Sequence, residues 1–120
     1  MSYTSVPVKL KVDPPQKGKK LYELPITVVV PSSALAFLPE GDATKASVEI
    51  YVGAIDDHGG TSDIGREVAT FTRPKDASGD TALTYDLTLQ TRKGNYKIVV
   101  NVRDVATGRM GTAKASVRVE

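Results

Sequence analysis

From Val6 onward, apolar and polar residues alternate with a period of two along most of the chain. Val6, Val8, Leu10 and Val12 are interleaved with Pro7, Lys9 and Lys11. This predicts a strand with one apolar face, because successive side chains of an extended backbone point to opposite sides. Pro7 has no N–H to give to a ladder, which predicts that this strand lies at a sheet edge or has its proline on an unpaired side. The pattern returns at Ile26, Val28 and Val30, bracketed by Pro25 and Pro31, as a short second strand. Between Ser32 and Asp42 the alternation stops. Ala34, Leu35, Phe37 and Leu38 predict one helical turn or a plugged crossover, since Pro31 and the Pro39-Glu40-Gly41-Asp42 turn leave no room for a full helix.

Alternation resumes at Ala46, Val48, Ile50, Val52 and Ala54, set against Ser47, Glu49, Tyr51 and Gly53, the clearest central strand of the first half. Asp56-Asp57-His58-Gly59-Gly60 supplies turn chemistry, and Arg66 to Thr72 predicts a strand ending at Arg73-Pro74. A polar turn from Lys75 to Asp80 leads to Leu83, Tyr85, Leu87 and Leu89. Arg92-Lys93-Gly94-Asn95 leads to Tyr96, Ile98, Val100 and Val102, and Ala113, Ala115, Val117 and Val119 close the chain. About seven strands at spacings of roughly 8 to 12 residues, without a segment long enough for a βαβ crossover, predict an all-β fold. The expected form is an immunoglobulin-like or fibronectin type III-like antiparallel β-sandwich, with a closed barrel second. Leu89, Gly94 and Tyr96 favour the sandwich. A Tyr at the start of the sixth strand can bury its ring and bond its hydroxyl to upstream backbone, pinning the corner where the chain changes sheets.

Composition narrows the class without changing it. The chain has 120 residues, 40% hydrophobic and 25% charged, which suits one core and one domain over residues 1–120, with residues 1–5 as a loose lead-in. Cysteine is absent, which excludes disulfides, thiolate catalysis and cysteine-bound zinc. Sixteen basic and fourteen acidic residues give a net charge of +2. The one dense basic group, Lys17, Lys19 and Lys20 beside Pro14, Pro15 and Gly18, reads as a solvated loop in preference to an anion site, and no nucleic-acid footprint is expected. The apolar stretch from Leu24 to Pro31 is far short of the roughly 20 residues that span a bilayer. Met1-Ser-Tyr-Thr-Ser shows no secretory signal. The chain starts shortly before a strand and finishes on one, as expected of a domain cut from a larger protein.

Candidate chemistry is thin, and no cofactor is expected. His58 is the sole histidine, so a His-based triad or metal site would be built from it with Asp56, Asp57, Ser62 or Asp63. Its glycine-rich surroundings predict a wet turn tip instead of a buried, oriented base. Calcium on the Asp56–Asp63 loop lacks the ligand spacing of an EF-hand. Asp104 reads as a turn-former bonding its own backbone across Thr107-Gly108. Gly108 and Gly111 precede no helix, and Glu23, Glu40, Glu49 and Glu67 show no glycosidase spacing. No catalytic residue is assigned.

The outward faces carry more information. If Val48, Ile50 and Val52 face the core, Tyr51 and Ile55 face out, as does Val99 on the sixth strand. In an immunoglobulin-like sandwich the third and sixth strands are neighbours, which groups Tyr51, Ile55 and Val99 as a candidate contact surface for another protein domain.

Three runs resemble a known family: Leu24 to Val28 through Leu35-Ala36-Phe37-Leu38-Pro39-Glu40-Gly41, Ile50 to Gly59, and Lys93-Gly94-Asn95-Tyr96 through Val102-Arg103-Asp104 to Gly108. Together they are similar to the C-terminal β-sandwich domain of bacterial von Willebrand factor A-related proteins, from about Leu21 to Val119. The resemblance implies an accessory, extracytoplasmic module without an assigned activity. The Asp-x-Ser-x-Ser metal motif of the von Willebrand factor A domain itself is absent here, so no metal ligand carries over. The expected function is a non-catalytic structural or protein-interaction module of a larger exported protein. A carbohydrate-binding module is the alternative, and would need three aromatics on one face among Tyr3, Tyr22, Tyr51 and Tyr85.

Overall fold

The computed structural model describes residues 6–76 and 79–120, with side chains at all of these except 62–64. The expected lead-in at residues 1–5 lies outside the described residues. Seven principal strands follow the alternation: β1 (Lys9–Val12), β3 (Tyr22–Pro31), β5 (Ala43–Asp56), β6 (Thr61–Pro74), β7 (Ala82–Thr91), β8 (Gly94–Asp104) and β9 (Met110–Val119). Two short ones escaped the pattern, β2 (Gln16–Lys17) and β4 (Leu38–Glu40). A 3₁₀ turn over Ser32–Ala34 follows Pro31, earlier than the turn expected over Ala34, Leu35, Phe37 and Leu38, and Leu38 lies in β4 instead.

The strands form two antiparallel sheets. In the smaller, β3 pairs with β7 along its whole length on one side and with β1 and β2 on the other. In the larger, the order is β6–β5–β8–β9, with β4 paired to the start of β5. Leu24, Ile26, Val28 and Val30 of one sheet and Val48, Ile50, Val52, Ile98, Val100 and Val102 of the other are buried together between them. The molecule is therefore a β-sandwich, whose inward rows are the apolar members of each alternating run.

The second strand is longer than the proline brackets suggested. Pro25 lies inside β3, opposite Thr88 of β7. Its carbonyl accepts a hydrogen bond from the Asp13 N–H at 3.0 Å, so its donor-less nitrogen faces the same side, into the gap between β2 (pairing Tyr22 and Glu23) and β1 (pairing Ile26 to Val29). No ladder donor is required there, and the proline is accommodated.

Tyr96 sits at the entry to β8 with its ring buried, and its hydroxyl donates to the Arg92 carbonyl at 3.0 Å. Gly94 supplies a φ of 150° at the bend before it, and Leu89 packs half-buried against the core. At the opposite end, the fully buried Asp104 carboxylate accepts from the Ala106 N–H, the Thr107 hydroxyl and, across 68 residues, the Ala36 N–H. Asp104 is thus the turn-former expected of it, and it also fastens the segment after the 3₁₀ turn to the β8–β9 hairpin.

Candidate functional site

The outer face of the larger sheet gathers the three residues singled out from the alternation. β5 and β8 run side by side with Tyr51 opposite Asn101, Gly53 opposite Val99 and Ile55 opposite Lys97. Val99 therefore stands across from a residue without a side chain, flanked diagonally by Tyr51 and Ile55. Diagonal neighbours on one face of a sheet lie about 7–8 Å apart, within reach of aromatic side chains. The missing side chain at Gly53 leaves a shallow depression of about 200 Å³, lined by Tyr51, Gly53, Ile55, Thr61, Val99 and Asn101. Ile55 is 40% exposed. An apolar floor of this kind offers contact area without a reactive group.

Its rim is polar and ordered. Asn101 accepts a hydrogen bond from the Thr112 hydroxyl of β9 at 2.6 Å. One turn of the register further along β5, Glu49 bridges two strands at once: Arg66 of β6 binds one carboxylate oxygen and Arg103 of β8 the other, the latter at 2.8 Å. The Arg66 guanidinium, then that of Arg103, holds the Glu49 carboxyl below its ordinary range. Alternation alone missed Gly53, Asn101 and this clamp. Gly53 was visible as the gap between two outward apolar residues, whereas the clamp depends on a register that only pairing sets.

The loop candidates resolve into turn chemistry. Asp56 accepts from the His58 N–H at 2.9 Å and the Gly60 N–H at 2.7 Å, and so closes the turn at the end of β5. His58 is exposed and stands 3.6 Å from Asp57. The side chains of Ser62 and Asp63, part of the triad and calcium candidates, lie outside the described residues. Among the described residues no group of three His, Cys, Asp or Glu side chains is placed to hold a metal ion.

Among the described residues, Tyr22, Tyr51 and Tyr85 do not share one face. Tyr22 and Tyr85 point inward and pack partly buried against the core, while Tyr51 points out. Tyr85 reaches Glu67 of the opposite sheet with its hydroxyl at 3.3 Å; burial, and secondarily the Glu67 charge, raises its pKa above that of a free phenol. Tyr3 lies outside the described residues.

No family model matches the chain, and no curated protein does. Among solved structures it is similar to the X-ray structure of Northeast Structural Genomics Consortium target SoR45, at 17% identity and a TM-score of 0.47, over 99% of this chain and 88% of that one. No helix among the described residues is long and apolar enough to cross a membrane.

Proposed function

We propose that the chain is a non-catalytic structural or protein-interaction module that meets another protein domain through the outer face of β5 and β8. The observation that carries this reading is the depression over Gly53, in which Tyr51, Ile55 and Val99 offer apolar surface within a polar rim. Interface centres combine this kind of aromatic and aliphatic anchor with a polar surround. An immunoglobulin-like lineage is supported by the order β6–β5–β8–β9 against β1–β3–β7 and by the Tyr96 hydroxyl bonded to backbone four residues upstream. The resemblance to the sandwich domain of bacterial von Willebrand factor A-related proteins supports a place beside other domains in an exported protein.

The test is a photo-crosslinking amino acid placed at Val99 and, as a control, at Thr84 on the outer face of β7, each in the full-length protein in its own cell. A discrete protein adduct from position 99, absent from position 84 and lost on adding Tyr51→Ala and Ile55→Asp, is the expected result. Equal adducts from both positions, or none from position 99, would refute the assignment of this face.

A further inference from the structure

The basic loop at Lys17–Lys20 is not isolated in the fold. Gly18 donates its N–H to the Leu21 carbonyl at 2.9 Å, which closes a tight turn with Lys19 and Lys20 at its tip. Lys17, in β2, is opposite Tyr22, and Tyr22 is opposite Thr91 of β7. Tyr22 and Thr91 are the terminal pair of these two strands, so the Lys17–Leu21 turn and Arg92-Lys93 both adjoin the same end of the sheet. Gln90 of β7 lines a shallow hollow with Lys19 and Lys20. Five cations from two distant stretches of sequence thus share one end of the smaller sheet, and all five are exposed. Among the described residues none of them forms an ion pair, whereas Lys11, Lys45, Arg66, Arg103 and Arg118 do. Glu23 is the acid on β3 at these turns; past the Arg92-Lys93 turn, on the larger sheet, Asp56 pairs with Tyr96, Asp57 accepts from the Asn95 amide at 3.4 Å, and Glu120 follows the Val119–Gly94 pair.

We propose that the cationic turns at this end of the smaller sheet form a peripheral docking surface for an anionic phospholipid bilayer. Three features favour a bilayer over other polyanions. Four of the five cations are lysines, hydrated point charges on flexible stems, suited to a diffuse field more than to a forked phosphate site. The aromatics nearest these turns, Tyr22 and Tyr96, are turned into the core, which removes the stacking platform that single-stranded nucleic acids use. The cations also occupy exposed turns at one end of the smaller sheet, where a flat charged surface can meet them. Clusters of basic residues bind anionic leaflets in this way, and binding falls off within a Debye length.

The experiment is cosedimentation of the purified chain with vesicles of phosphatidylglycerol and phosphatidylcholine in equal parts, against phosphatidylcholine alone. Binding to the anionic vesicles alone, reversed by raised salt, is expected. Each cation near the surface contributes about fivefold. Lys19→Gln with Lys20→Gln, or Arg92→Gln with Lys93→Gln, therefore weakens binding at least tenfold, while Lys9→Gln with Lys75→Gln, the same change in net charge elsewhere, leaves it within about threefold. Thermal unfolding confirms that each variant is folded. The proposal fails if the wild type ignores anionic vesicles at low salt, or if the control pair weakens binding as much as the turn pairs. It also fails if inorganic phosphate at constant ionic strength displaces the vesicles, or if heparin or DNA is bound while vesicles are not.

Discussion

The Tyr96 hydroxyl donates to the carbonyl of Arg92, closing the corner between β7 and β8 with one hydrogen bond from a largely buried ring. Tyr96→Phe keeps the ring and deletes the bond. Such a bond contributes about 1 kcal/mol, so the midpoint of thermal unfolding is expected to fall by roughly 4 °C. Scanning calorimetry of the two proteins checks this, and an unchanged midpoint would mean that the corner is held by packing alone.

Removing Asp104 should cost more. Its buried carboxylate satisfies two backbone N–H groups and one hydroxyl, and Asp104→Ala leaves them without partners in a closed space. A loss of roughly 3 kcal/mol is expected, measured by urea unfolding. Hydrogen exchange at the Ala36 and Ala106 amides should accelerate ahead of exchange in the β5–β8 ladder, because those are the amides set free.

Two glycines separate close approach from open space. A Cβ at Gly111 would overlap the Val6 carbonyl, where the Val6 N–H bonds to Met110. At Gly65 a Cβ meets nothing within 4 Å. Gly111→Ala is expected to destabilise by roughly 1–3 kcal/mol through overpacking, and Gly65→Ala to be neutral or stabilising by up to about 1 kcal/mol. Denaturant midpoints of the pair decide it.

Acid should weaken the fold through two carboxylates, the largely covered Glu49 and the exposed Asp80. Glu49 is held below its ordinary range by Arg66 and then Arg103, and Asp80 by the Ser33 N–H and then the Ser33 hydroxyl. A carboxylate with a depressed folded-state pKa adds stability that is complete above its unfolded value and is lost as pH falls through the folded one. The unfolding midpoint should therefore hold above about pH 5 and decline below about pH 4. In Glu49→Gln that decline should be shallower, and salt should reduce the difference between the two proteins.

The inward rows were legible because each strand buries one face, and a period of two is the direct imprint of that burial. Tyr51, Ile55 and Val99 were legible for the same reason, as the apolar residues on the wrong parity. The ties made by polar side chains were not. Asp104 to Ala36, and Asp80 to Ser32 and Ser33, join segments 47 to 68 residues apart through single carboxylates. Alternation has no term for a contact that depends on where two loops meet. The gathering of Lys17, Lys19 and Lys20 with Arg92 and Lys93 was hidden likewise, since it follows from the Tyr22–Thr91 register. β3 was read short because Pro25 counts as a strand breaker unless the gap in its partner edge is known.

That gap has a consequence for how the molecule lives among copies of itself. By dividing the β3 flank between a four-residue strand and a two-residue strand, the chain leaves no long straight margin of unpaired backbone on that side. A template so short and interrupted gives a neighbouring chain little to copy, and Lys9, Lys11 and Lys17 add charge to it. On this margin, resistance to fibrous self-assembly comes from a proline and a missing stretch of ladder.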